Sequence, residues 1–354
     1  MRLLERLRAA GVDALVVTHE PDIAYLTGRA FGGEDSVLIV SGGGCVLVTD
    51  GRFETEAVAV SGWARVVMRR ESMARALPAA AGEVGAEKIG VQAEHMTVSL
   101  RSALAGKVGA RRLVNTSGLV SGLRAVKDES EVRAIRKAVK LQEGALERAL
   151  GQIGPGMTET EAAAVLEYEM KTAGASGVSF PTIMAARANG ALPHARPGKT
   201  KLGGNACVLI DWGAVVDGYV GDMTRTFAFG RWPRKLRGVY GVVEEALHAG
   251  IGAVKAGATC KEVDEAARSV IRDAGYGERF GHALGHGIGL EVHEGPRLGW
   301  NVDDVLEAGM VVTVEPGVYL PGVGGVRLEN DVVVTERGCR DLSSLPTDVE
   351  WATL

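Results

Sequence analysis

Shifting the chain by 101 residues sets Glu143 on Glu244, Ala145 on Ala246, Leu146 on Leu247, Gly156 on Gly257, Thr158 on Thr259, Glu161 on Glu262 and Gly174 on Gly275 without a gap. In each copy a Thr-x-x-Glu follows a glycine and an Ala-Gly pair comes later, signals that open a helix with a capping box and then stop it. A duplicated helical pair is a strong constraint on folding, because both copies must bury related faces. A pseudo-twofold arrangement is therefore expected. Each copy is followed by a predicted strand pair carrying two acids: Asp211 and Asp222 flank a turn at Val216-Asp217-Gly218, and Glu315 and Glu329 flank the glycine-rich turn Pro321 to Gly325. Antiparallel strands bring opposed Cβ atoms to about 5 Å, close enough for such acids to share a cation.

The four acids, with His286 in GHALGHGIGLEVHE, are embedded in β-branched and apolar sequence. Breaking a buried ion pair costs roughly 3–5 kcal/mol, so acids in such surroundings need counter-charge. Two divalent cations would supply it. Four carboxylates with one imidazole suit Mn²⁺, or else Co²⁺ or Zn²⁺, better than a thiolate site would. Two such ions about 3.5–4 Å apart acidify a shared water, so neither serine nor cysteine is required as nucleophile. Neither a GxSxG elbow nor a reactive Cys/His pair is present. Asp217 is read differently, since Asp-Gly is itself a turn signature.

At 354 residues the chain exceeds one ordinary core, and two domains are expected, 1–121 and 122–354. Its 46% hydrophobic and 24% charged residues describe a folded globular protein. A net charge of −4 without a basic stripe argues against nucleic acid or acidic lipid as partner. No stretch approaches a membrane span, and the N-terminus, with four charges in its first eight residues, lacks an apolar signal segment. A cytoplasmic location is expected, in keeping with the dispersed Cys45, Cys207, Cys260 and Cys339. The first 120 or so residues read as a small α/β unit: a helix at Leu3–Ala10, strands at Ala14–Thr18, Ser36–Val40 and Val46–Thr49, and a helix after Asp50. Asp128 and Glu131 form a capping-box pattern opening a long helix to about Leu150.

The segments DWG, GDMTRTF, GHGIGLEVHE, VEPG and RLEND, in this order and spacing, resemble the creatinase/methionine aminopeptidase superfamily, specifically its Xaa-Pro peptidases, the prolidases and aminopeptidases P. Essentially the whole chain is covered, whereas methionine aminopeptidases lack a comparable N-terminal domain. The resemblance implies an α+β class, with a small α/β N-terminal domain before a "pita-bread" catalytic domain containing an internal pseudo-twofold repeat. It implies that Asp211 binds one metal, that His286 and Glu315 bind the other, and that Asp222 and Glu329 bridge both. Glu315 is then the proton shuttle, and His194 and His293 orient substrate and stabilise the tetrahedral intermediate. His282 has two readings, a partner to a ligand or a structural residue, and His19, His95 and His248 are read as structural. Arg297 matches an arginine that contacts the substrate carboxylate in some short prolidases. Arg327, sharing a strand face with Glu329, can brace the carboxylates or hold substrate.

The expected reaction is cleavage of the bond before proline, in Xaa-Pro dipeptides or, alternatively, in longer peptides with proline second. A homodimer is implied by the family. A creatinase-like metal-free hydrolase or an inactive peptide-binding pseudoenzyme would be expected to have lost ligands that this chain keeps.

Overall fold

The computed structural model describes residues 2–32 and 35–354. It divides into two compact units, Met1–Arg124 and Ala125–Leu354.

The first unit is built on a six-stranded sheet in the order Ala64–Arg69, Gly44–Asp50, Val37–Ser41, Ala14–Val17, Ile89–Gln92, Leu113–Thr116. Alternation along Ala14–Val17 explains how the sheet is covered: Ala14 and Val16 enter one apolar cluster, Leu15 and Val17 the other. Both faces are thus buried beneath helices, among them Arg2–Ala9, whose Leu3 and Leu7 face the second cluster. Asp50 accepts the Arg52 N–H and opens a short 3-10 turn before the helix Glu54–Val58.

The second unit contains the duplication. Glu129–Leu150 and Glu159–Thr172 form one helical pair, Arg234–Ala253 and Cys260–Asp273 the other. Capping boxes close at Asp128/Glu131, Thr158/Glu161 and Thr259/Glu262, each N-cap contributing about 1 kcal/mol. Two antiparallel sheets accompany the pairs. One runs Met223–Ala228, Cys207–Trp212, Ile183–Ala186; the other runs Glu294–Leu298, Gly285–Gly287, Val311–Val314, Asn330–Thr335, Gly338–Asp341. Helices and strands share one apolar cluster that includes Trp212, Val243, Val263 and Val314. This is the pita-bread architecture.

Both acid-bearing turns belong to small subsidiary hairpins, Ala214–Val216 with Tyr219–Val220 and Gly317–Leu320 with Gly324–Arg327. The main ladders resume beyond them. Asp211 consequently stands opposite Thr224 rather than Asp222. Glu315 and Glu329 lie one step past the terminal pair Val314–Asn330. Asp217 is at the hairpin tip with φ +53° and pairs with Lys137 on the surface at 2.6 Å.

Close packing explains the glycines beside His286. A Cβ on Gly285 would lie 2.0 Å from Thr313 O, and one on Gly287 would lie 2.2 Å from Gly295 O. The His286 strand fits between its neighbours only without those side chains. Among the described residues no helix is long and apolar enough to cross a membrane.

Candidate active site

Asp211, Asp222, His286, Glu315 and Glu329 line one cleft of about 520 Å³, together with His194, His293, Arg297 and Arg327. Asp211 comes from the Cys207–Trp212 strand, and Asp222 immediately precedes Met223–Ala228. In the other half Glu315 immediately follows Val311–Val314, and Glu329 immediately precedes Asn330–Thr335. One acid near a ladder end and one beside its partner strand thus come from each half. Ligand atoms of Asp222, His286 and Glu329 all lie within 4.8 Å of one another. His286 Nε2 is 3.7 Å from Asp222 Oδ2 and 3.4 Å from Glu315 Oε1.

The charge state of these groups tests whether they fit a metal. Burial is the main cause raising the pKa of Asp222 and Glu315 well above the ordinary carboxylate value, and the neighbouring Glu329 adds to it. Glu329 is pushed up to about 8 by burial and then by Asp211. His286 is lowered to about 4, chiefly by burial. Its Nδ1–H donates to Gly287 O at 3.1 Å, so the neutral ring turns the Nε2 lone pair toward the acids. A lone pair facing carboxylates, with no proton of its own near neutrality, is the arrangement that divalent cations satisfy. Asp211 Oδ1 is buried with no hydrogen-bond partner among the described residues. The donor set fits two hard or borderline divalent ions.

Arg327 braces this cluster. It is 3% exposed, and its guanidinium donates to Asp211 Oδ2 at 2.5 Å, Thr224 Oγ1 at 3.0 Å, Tyr319 Oη at 2.8 Å and Pro193 O at 3.3 Å. Thr224 passes its own hydrogen to Glu329 Oε2 at 2.6 Å. Most of the guanidinium is spent on the protein, so of the two roles open in the sequence its geometry is that of the brace. Tyr319 extends the chain to His282. His282 Nδ1–H donates to Ala283 O, which leaves Nε2 to accept the Tyr319 hydroxyl, both at 2.8 Å. Burial lowers His282 to about 3, consistent with this neutral tautomer.

His194 and His293 lie at the exposed rim of the cleft. The His293 ring meets His286 edge to face at 4.4 Å. Its pKa is lowered, first by desolvation and then by the charge of His194. Glu294 anchors the His293 segment, accepting the N–H groups of Leu290 and Glu291 and the ammonium of the buried Lys127. Arg297 stands opposite His286 across the strand pair, and its guanidinium lies 5.8 Å from the Trp300 ring.

Thr224, Tyr319 and Glu294 were not singled out from sequence. Thr224 was within reach, because it follows Asp222 by two residues in GDMTRTF and so shares its strand face. Tyr319 and Glu294 had no comparable local signal. Arg225, also overlooked, is fully buried, and its five N–H groups go to Pro346 O, Thr224 O, Glu329 O, Asn330 Oδ1 and Leu345 O.

Comparison with known proteins gives concordant matches. Residues 133–336 match the model for metallopeptidase family M24, and residues 1–126 match the creatinase/prolidase N-terminal domain. The structure is similar to an Xaa-Pro dipeptidase from Bacillus anthracis, at 36% identity and TM-score 0.94, over 100% of this chain and 98% of that one. It is similar to an X-Pro aminopeptidase from Thermotoga maritima, at 35% identity and TM-score 0.88, over 99% and 100%. An Xaa-Pro dipeptidase of Pyrococcus horikoshii is 31% identical over 342 residues, 97% of this chain and 95% of its own.

Proposed function

Since this chain belongs to metallopeptidase family M24, we propose that it hydrolyses the peptide bond preceding proline, in Xaa-Pro dipeptides. The observation that carries the proposal is the convergence of three buried acids, the partly buried Glu315 and a neutral His286 on a cleft that Arg297 also lines. Asp211, Asp222, His286, Glu315 and Glu329 would hold two divalent ions, Mn²⁺ first and Co²⁺ or Zn²⁺ as alternatives, which when bound supply Lewis acidity to acidify a water and polarise the scissile carbonyl.

The remaining work belongs to the protein. Glu315 accepts a proton at its carboxylate and returns it to the departing proline nitrogen. His194 and His293, at the rim, orient the peptide and donate to the oxyanion. The imide nitrogen before proline carries no hydrogen, so the site needs no acceptor for it. Arg297 takes the dipeptide carboxylate through charge-assisted hydrogen bonds, while Arg327 stays bonded to Asp211 and holds that ligand in place.

A second reading, release of the first residue from longer Xaa-Pro peptides, is favoured by the similarity to the T. maritima X-Pro aminopeptidase. The deciding experiment compares kcat/KM of the Mn²⁺-loaded protein on an Xaa-Pro dipeptide, an Xaa-Pro-Xaa tripeptide and an Xaa-Ala dipeptide. Preference for the first supports the proposal, and preference for the second replaces it with the aminopeptidase. Equal rates on proline and alanine dipeptides, or full activity in metal-free protein, would overturn both.

A further inference from the structure

The two copies of the duplicated unit are tied to their following loops by the same backbone pattern, but only the first places a carboxylate at the buried position after its N-cap threonine. In the first, Gly156 N–H donates to Leu202 O, Leu202 N–H to Met157 O, Glu159 N–H to Thr200 O and Thr160 N–H to Gly198 O, at 2.8–3.1 Å. In the second, Gly257 donates to Leu306 O, Leu306 to Ala258 O, Cys260 to Asp304 O and Lys261 to Val302 O, at 2.8–3.0 Å. Glu159 and Cys260 occupy the same place, 101 residues apart, and both are 0% exposed. The backbone ties therefore do not require a carboxylate.

What the carboxylate holds is the loop that presents His194. Glu159 Oε1 accepts Ala186 N–H at 2.7 Å and Asn189 Nδ2 at 2.9 Å, and Oε2 accepts Gly198 N–H at 2.9 Å and Asn189 Nδ2 at 3.2 Å. Residues 186 and 189 lie before His194 and 198 after it, so one buried group fixes both limbs. Arg187, inside this span, has φ +57°, a conformation that persists only when its surroundings enforce it. Its guanidinium is bonded to Lys201 O and Gly203 O. Among the described residues no cation pairs with Glu159 in a salt bridge, so its desolvation is offset by these loop hydrogen bonds.

We propose that Glu159 is the positioning residue for His194, clamping both limbs of its loop so that the imidazole is held at the cleft before substrate arrives. The inference rests on the proposed function for its consequence in rate, though the clamp itself can be read without substrate. The test is Glu159→Gln, which keeps one acceptor oxygen and turns an amide NH₂ toward a donor on the other limb.

Amide exchange over residues 186–198 should accelerate in Glu159→Gln, while the content of bound Mn²⁺ stays at the wild-type level. On an Xaa-Pro dipeptide, kcat/KM should fall at least about 10-fold, as expected for losing a charge-assisted hydrogen bond. Introduced into His194→Ala, the same change should cost less than about 2-fold, since coupled residues are not additive. Unchanged exchange overturns the proposal, as does an equal fold-loss in both backgrounds, loss of metal, or faster exchange with an unchanged rate. If Glu159→Gln folds poorly, Asn189→Ala removes two of the four bonds to Glu159, leaves those from Ala186 and Gly198 N–H, and is read by the same criteria with a smaller expected fall. A wild-type protein inactive on every Xaa-Pro peptide would overturn the proposed function, and the exchange result would still decide the clamp.

Discussion

Stripping the metals and raising the pH from 6.5 to 8 should destabilise the protein by an amount the site itself sets. Glu329 has a folded-state pKa near 8 against an ordinary 4.5, and Asp222 and Glu315 are raised well above theirs by burial and then by Glu329. The metal-free folded state thus keeps at least one proton that the unfolded chain has released. A raised acid contributes stability that is full below the unfolded pKa and lost as pH climbs through the folded one. His282 and His286, lowered by burial to about 3 and about 4 from 6.5, act in the opposite sense. At pH 6.5 the unfolded imidazoles are still half protonated, so the two together return about 0.8 kcal/mol of stability by pH 8. The buried thiols of Cys207 and Cys260, raised by burial to about 12 and about 11 from 9.0, enter only above the window. Against the histidine gain stands a loss of about 1.36 kcal/mol per pH unit per retained proton. For Glu329 alone the window costs about 1.6 kcal/mol, which leaves a net loss of about 1 kcal/mol, or roughly 2–4 °C in Tm for a domain of this size. Bound metal keeps the acids ionised in both pH limits and should flatten the slope, adding about 2.7 kcal/mol at a hundredfold excess over Kd. Scanning calorimetry of chelated and Mn²⁺-loaded protein at pH 6.5, 7.2 and 8 measures both. A chelated Tm that stays level or rises over this window refutes the reasoning.

Three substitutions probe other parts of the site. Asp222→Ala should lower metal content at both positions and cut turnover by orders of magnitude, whereas two tightly bound ions in the variant would contradict a bridging role. Arg297→Ala should depress kcat/KM for Xaa-Pro dipeptides about 10- to 150-fold, the equivalent of ~1.5–3 kcal/mol, and spare tripeptides whose carboxylate lies one residue further out. An equal fall on both would remove Arg297 as the carboxylate anchor. Arg225→Met leaves five acceptors without their donor, four of them in buried contacts, and should cost more than about 3 kcal/mol in urea unfolding. A loss under about 1 kcal/mol would show that the neighbourhood repacks freely.

Much of this protein can be read from its sequence because the decisive signals are local. The capping boxes at Thr158 and Thr259 each lie within four residues, so the duplication and its helices are visible without a structure. The motif segments likewise carry their acids and His286 in short stretches with fixed neighbours. In the first unit the three apolar strands are legible. The half-exposed edge strand Ala64–Arg69 and the four-residue strands Ile89–Gln92 and Leu113–Thr116 are not, since short or mixed runs have no clear period. Tertiary structure alone decides the partners. Whether Arg327 meets substrate or ligand depends on Asp211, 116 residues away, and the bonds of Arg225 to the 345–346 segment span more than a hundred residues. The subsidiary hairpins place Asp211 across from Thr224, a register that the flanking turns do not reveal. Periodicity and capping report what a residue does within a few turns of its own chain, whereas charge and hydrogen-bond satisfaction are settled only by what burial brings alongside it.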